Sequence, residues 1–248
     1  MQRIFVFGCD LAGRHDQEPA ALAVRLHRAE FGVWSGPTGN SYAIPYRNKY
    51  RQLLPTEVIK SYVDSFVHYA EARPDVAFQV AYFACEAGAH TDEDMARLFA
   101  SAPRNCKLPG LWSRKLDKKQ PARMLVFDPG AHLDEIEWRR RFERYLALNV
   151  PLWDVKSVEL VSVGNARTIV ANDIAAKTLN LKHRIFRMDN ARHGANANIA
   201  AEYEAICYAT HVLSISNFDE TGDPQQIRIM TAAARTGLHA DQLDSGTG

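Results

Sequence analysis

Apolar positions along the chain fall into short runs and helical stripes that take turns. Ile4 to Phe7 is an apolar run closed by Gly8, and Cys9 to His15 is a small polar loop, the pattern of a strand handing over to a ligand-facing turn. In AALAVRLHRAEF, residues 20–31, Ala21, Leu22, Val24, Leu26 and Ala29 lie largely on one side of a predicted helix. Turn residues Gly36 to Gly39 precede Tyr42, Ala43 and Ile44, read as a strand, and Pro45 and Pro55 keep any helix from running through. From Thr56, the stripe Val58, Ile59, Tyr62, Val63, Phe66 and Val67 predicts a helix N-capped by Thr56 and ending near Arg73-Pro74. Val76 to Ala84 is nearly continuous apolar sequence, as in a strand covered on both faces, followed by a loop and a helix from about Asp92.

The same order returns further on. RMLVFDPG is a second strand and turn, and Leu133 to Leu148 is an acid-to-base helix with Ile136, Phe142, Tyr145 and Leu146 available for burial. SVELVSVGNAR reads as a strand ending in Gly164, TIVANDIAAKTLNL as a helix, HRIFRMD as a short strand, and AAEYEAICYATHVLSIS as a helix running into a strand. Between the halves, Arg104 to Arg123 carries Pro, Gly and clustered Lys and Arg without periodicity. The pattern therefore predicts two α/β domains, 1–106 and 122–243, joined by a linker over 107–121 and followed by a flexible tail, 244–248.

Composition narrows the function classes. The 248 residues can bury a full core, and a formal charge of +1 leaves no global electrostatic footprint for nucleic acid or an anionic membrane. Cys9, Cys85, Cys106 and Cys207 are far apart and the nine histidines are dispersed, so neither a disulfide framework nor a metal site is expected, and no cofactor is expected. The N-terminal apolar stretch is interrupted by Asp10, too soon for a signal peptide or membrane span; a soluble, cytoplasmic protein with reduced thiols is expected.

Candidate chemistry enters with three blocks. IFVFGCDLAGRH, GNSYAIP and LPTEVIKSYVDSFVHYAEARPDVAFQV, in that order and spacing, resemble a family of phage and prophage-borne macro-domain-like proteins over residues 3–100. The family pattern at the first block is F-G-S-N-x-A-G-x-H-G-A-G-A-A; here Cys9-Asp10 stand for Ser-Asn, and Asp16 to Pro19 replace the second glycine cluster. The later I-G-C-G-x-A-G block keeps Cys85 and Gly88. The resemblance implies a macro-like three-layer domain that binds ADP-ribose or a related nucleotide. It carries the ligand contacts onto Asp10 and Asn40, supported by Gly8, Gly13, Arg14 and His15. The structural alternative is that Asp10 caps a turn and Asn40 supports one.

In the second half, LVSVGNAR, ANDIAAKTLNL and NIAAEYEAICYATHVLSIS resemble the SLOG superfamily, Rossmann-like domains related to DprA and lysine-decarboxylase-like proteins, over residues 122–240. Relatives hold a phosphate at G-G-A-R-G-A-D, of which Gly164, Asn165, Ala166 and Arg167 keep part, with Asp173 and Asn198 as further polar candidates. The alternative has Gly164 turning the chain and Asp173 facing solvent. Because Asp16 and Glu18 add negative charge beside the first cleft, the second is expected to be the better phosphate site.

Three readings follow. The first is binding or sequestration of a nucleotide-derived small molecule, ADP-ribose-like or a cyclic nucleotide signal; the phage resemblance implies a role in phage–host conflict. The second is hydrolysis of an ADP-ribosyl or N-glycosidic bond by Asp10 or Glu86. The third is a structural protein on two degenerate folds, with a host or phage protein partner or a homo-oligomer. Cys85 beside Glu86 and His90 can be read as a nucleophile or as packing. DNA binding is the weakest rival: DEIEWRRRFERY interleaves its charges as a solvated helix does, and no basic stripe interleaved with aromatics stands out.

Overall fold

A computed structural model describes residues 2–85, 90–127, 135–153, 157–164, 166–215 and 223–243, except the side chains of Glu135, Leu152, Trp153, Ala166 and Arg167. The chain divides into two compact units, Met1–Leu116 and Asp117–Gly248. Both are α/β, each with a largely parallel sheet flanked by helices. The expected tail, 244–248, lies outside the described residues.

In the first unit the elements run β1 (Arg3–Asp10), α1 (Ala20–His27), β2 (Gly36–Thr38), β3 (Ser41–Arg47), α2 (Thr56–Glu71), β4 (Ala77–Val80), α3 (Asp92–Leu98), β5 (Cys106–Lys107) and α4 (Gly110–Leu116). The sheet order is β2-β3-β1-β4-β5, with only the β2–β3 pair antiparallel. Alternation along β1 sorts its two faces. Ile4 and Val6 join Ile59, Val63 and Phe66 of α2 in one core, while Phe5 stacks on His27 of α1, ring centroids 4.5 Å apart. The two helices therefore cover opposite faces.

Three local readings differ from the pattern-based ones. β3 runs through Pro45, which pairs with Cys9 where the register shifts, a position that tolerates the missing N–H. Pro55, not Thr56, is the N-cap of α2; the Thr56 hydroxyl is turned to His90 Nδ1, 3.3 Å away. The segment 107–121 is not all linker, because α4 belongs to the first unit. Trp112, fully buried, packs its ring 5.4 Å from Phe99 and 5.7 Å from both Tyr82 and Phe83, and its indole N–H donates to Asp92 at 3.0 Å. Its burial outweighs the weak periodicity of the surrounding sequence.

The second unit contains β6 (Ala122–Phe127), α5 (Glu135–Asn149), β7 (Val158–Val163), α6 (Ala166–Thr178), β8 (Lys182–Phe186), a single turn α7 (Asn190–His193), α8 (Ala197–Tyr208), β9 (His211–Ser214), α9 (Pro224–Arg235) and β10 (His239–Gln242). Its strands, all parallel, lie in the order β10-β9-β6-β7-β8. Renumbered along the chain this is 3-2-1-4-5, the Rossmann-like order. Met124 and Val126 pack with Trp138 and Phe142 of α5 on one face, and on the other Arg123 places its guanidinium 4.2 Å from the Tyr208 ring centroid of α8. On α5, Arg139 meets Glu143 at 3.5 Å and Arg141 meets Glu137 at 2.7 Å, so its charges pair along the helix. Among the described residues no helix is long and apolar enough to cross a membrane.

Trp112→Ala is expected to destabilise the first unit by about 3–5 kcal/mol, the range for deleting a buried large aromatic side chain. Denaturant unfolding followed by amide exchange in β4 and β5 checks this; loss of less than 1 kcal/mol would place residues 107–116 outside the first core.

Candidate functional site

The parallel strands β1, β3, β4 and β5 of the first unit exit at one edge, which is organised by Asp10, the last residue of β1. Its carboxylate is buried. Oδ1 accepts the backbone N–H of Ala12 (2.9 Å) and of Arg14 (3.2 Å), and Oδ2 accepts Nε of Arg14 at 2.7 Å. The other arm of Arg14 donates to the Lys49 carbonyl at 2.5 Å, while Leu11 N–H donates to the Arg47 carbonyl at 2.9 Å. Asp10 thus folds its own loop and, through Arg14, ties it to the chain leaving β3.

That second loop is equally constrained. Asn48 Oδ1 accepts the N–H of Tyr50 (2.8 Å) and of Gln52 (3.1 Å), an Asx-type turn. Arg51 sits at φ 65°, and its guanidinium reaches Asp16 at 2.5 Å. Between the two loops lies a cleft lined by Gly8, Asp10, Arg14, Gln17, Arg47 and Arg51. The start of α1 borders it: the N-cap is Pro19, no side chain caps the helix among the described residues, and its first turn has no acid. Its positive dipole end thus faces a rim carrying three arginines, although the Ala21 N–H is met by the Gln17 carbonyl at 2.9 Å and the Ala23 N–H by the Pro19 carbonyl at 3.1 Å.

The charge balance differs from the sequence-based expectation. Asp16 and Glu18 line the cleft together with Asp10, three carboxylates against the three arginines, but Arg51 binds Asp16 and holds its carboxyl below the usual range, and Arg14 offsets Asp10. The repulsion that favoured the second unit as the phosphate site is therefore countered locally.

Other expected site residues serve the fold. A Cβ on Gly8 would stand 2.5–2.7 Å from the Phe83 side chain, so the crevice between β1 and β4, where the strand order reverses, is filled by Phe83. A small surface cleft of about 20 Å³ lies one strand over, toward β3. Gly13, at φ 66°, packs against the backbone of Gly32, 2.4 Å from an ideal Cβ. His15 is turned inward: Nε2 meets the Val33 carbonyl at 3.1 Å, the ring is edge-on to Phe7, and Nδ1 has no hydrogen-bond partner among the described residues. Burial pushes its pKa below the ordinary 6.5, against the opposing pull of Val33, Asp10 and Asp16. Asn40 is exposed and precedes β3, whose Ser41 pairs with Phe5 while Arg47 pairs with Asp10. It lies at the opposite edge, about 20 Å along the strands from Asp10, and does not join the cleft. Tyr46, Arg47 and Arg51, which sequence reasoning passed over, line it instead.

In the second unit the structure brings Gly164 and Asn198 to the carboxyl edge and leaves Asp173 off it. Gly164, at φ 94°, lies under Gln225, whose Nε2 would be 2.1 Å from a Cβ. Gln225 donates to Glu202 at 3.3 Å, and Arg228 holds Glu202 through two bonds of 2.7 and 2.8 Å. Asn198, half-buried in the first turn of α8, lies one turn before Glu202. Asp173, about 10 Å along α6 from its start, pairs with Lys177 and with His183, which also meets the buried Ser162 hydroxyl at 2.8 Å. Asn165 and the side chain of Arg167 lie outside the described residues, as do Glu86 and Gly88.

The nucleophile reading of Cys85 loses its base. Both nitrogens of His90 are engaged, with Leu54 O at 3.0 Å and Thr56 at 3.3 Å, and burial pushes the Cys85 thiol up to about 12. Among the described residues no group of His, Cys, Asp and Glu is arranged to hold a metal ion. No family model, curated protein or solved structure matches the chain.

Gly8→Ala is expected to cost about 1–3 kcal/mol by overpacking against Phe83, read as a lowered unfolding midpoint; an unchanged midpoint would mean that the ring moves aside. His15 gives a pH signature. Its folded pKa is depressed below an unfolded value near 6.5, so its contribution is fully present above that pH and is lost as pH falls toward the folded pKa. Melting scans between pH 7.5 and 5 should show the first unit weakening, with a flatter profile in His15→Phe; parallel profiles would remove His15 as the cause.

Proposed function

We propose that this protein binds, and by binding sequesters, a nucleotide-derived small molecule at the β1–β3 cleft of its first unit. The observation that carries this reading is the convergence of Arg14, Arg47 and Arg51 with the uncapped start of α1. Such an arrangement supplies a helix dipole and guanidinium cations to a phosphate or diphosphate, which would compete with Asp16 for Arg51. The likeness of the β1 block to macro-domain-like proteins points the same way, toward ADP-ribose-like or cyclic nucleotide ligands and a role in phage–host conflict.

Binding is favoured over hydrolysis by the state of Asp10. An acid or base at an anomeric centre needs a carboxylate with capacity to spare for the reacting atoms. Both oxygens of Asp10 are engaged by its own loop, three bonds in all, so it acts as a positioning residue. A second ligand cleft in the Rossmann-like unit, at Gly164 and Asn198, draws on the SLOG resemblance and the polar edge formed by Glu202, Gln225 and Arg228.

Calorimetry of the full chain with ADP-ribose, NAD and cyclic ADP-ribose tests the reading; absence of both heat and thermal shift across the panel overturns it. Arg51→Glu is expected to weaken binding by about 1–3 kcal/mol, whereas Asp16→Asn, which releases Arg51 and removes a negative charge, should tighten it. Arg167→Glu leaves affinity unchanged if the first cleft is the site; a large loss there with Arg51→Glu neutral moves the site to the second unit.

A further inference from the structure

Against the expectation that no such stripe is present, the segment leaving β3 reads Tyr46-Arg47-Asn48-Lys49-Tyr50-Arg51, aromatic and basic residues interleaved over six positions. Its backbone is fixed at the lip of the cleft. Arg47 and Arg51 line the cleft, the Lys49 carbonyl takes the guanidinium of Arg14, and Asn48 holds the turn at Tyr50 and Gln52. Tyr50 stands on this turn 73% exposed, the highest exposure among the large apolar side chains described, with the Lys49 ammonium 5.4 Å from its ring centroid. The neighbouring pair repeats the chemistry, Arg47 lying 5.1 Å from the Tyr46 centroid, but Tyr46 is buried and packs on Phe83.

We infer that Tyr50 is the stacking platform for the nucleobase of a small nucleotide whose phosphate is held by the Arg47 and Arg51 rim. The inference rests on the cleft reading above and narrows its ligand class. An aromatic face on a pinned turn loses little entropy when a planar ring settles on it, since the backbone is already ordered. Stacking on tyrosine is tolerant of base identity, and cations beside the ring strengthen the attraction of an anionic nucleotide. The ligand class is thus defined by two features together, a planar base and a phosphate. A sugar phosphate without the base satisfies only the arginines.

The test compares adenosine 5′-monophosphate with ribose 5-phosphate, which share the phosphate and the sugar, by calorimetry on the full chain. Wild type is expected to prefer the nucleotide by about tenfold or more, with tyrosine fluorescence quenched by the nucleotide alone. Tyr50→Ala should abolish the preference and leave ribose 5-phosphate affinity unchanged, and Tyr50→Phe should retain the preference. If Tyr50→Ala keeps the preference while both ligands still bind, the platform is elsewhere and the cleft reading survives. If neither compound binds wild type, both fall. Tighter binding of a single-stranded oligonucleotide than of the mononucleotide would overturn the assignment to a small ligand.

Discussion

Parallel strand pairing sets the terms for everything else in each unit. A parallel pair needs a crossover, so the parallel strands are left at one edge and their crossovers start there with loop donors to satisfy, while in the first unit β2, antiparallel to β3, runs the other way. In the first unit the demand is answered by Asp10, a buried carboxylate that satisfies three donors of its own loop. With Arg14 bridging to the Lys49 carbonyl, the end of β1 and the exit of β3 become one rigid edge. The start of α1, without a side-chain cap, turns its positive dipole end to that edge beside Arg14, Arg47 and Arg51.

The position of the cleft follows from packing. In open α/β sheets the reversal of strand order leaves a crevice, here between β1 and β4. Phe83 occupies it, pressed onto the bare backbone of Gly8 and tied by ring contacts to Tyr46, Phe99 and Trp112. The same glycine that looks like a ligand-approach residue in sequence is there to admit an aromatic ring. The open space is thereby shifted toward β3, and the residues beyond Ile44 become its wall.

Much of the fold was legible from periodicity. The long stripe of α2, the apolar run of β1 and the alternation of strands and helices follow from burial patterns of period 3.6 and 2, which the local sequence carries by itself. α4 was hidden, because its one decisive residue, Trp112, is held by contacts with Tyr82, Phe99 and Asp92 that no local pattern encodes. α9 carries its own local signal, Asp223 capping Gln225 and Gln226 with Pro224 in the first turn, whereas β10, His239–Gln242, is short, polar and mostly exposed and so gives no strand pattern.

Neighbours along the chain are enough to set the α/β character, the strand–loop–helix unit at Gly8 to His15 and the small polar residues at its turn. Which of those residues meet depends on the packing of distant segments. Asn40 was separated from Asp10 because strand register fixes which end of β3 it occupies. His15 went inward against Phe7, and Arg47 and Arg51, separated from the β1 loop by some 35 residues in the case of Arg51 and Asp16, came to its edge. Long-range pairing and register are set by the whole sheet, and a sequence read locally contains no term for them.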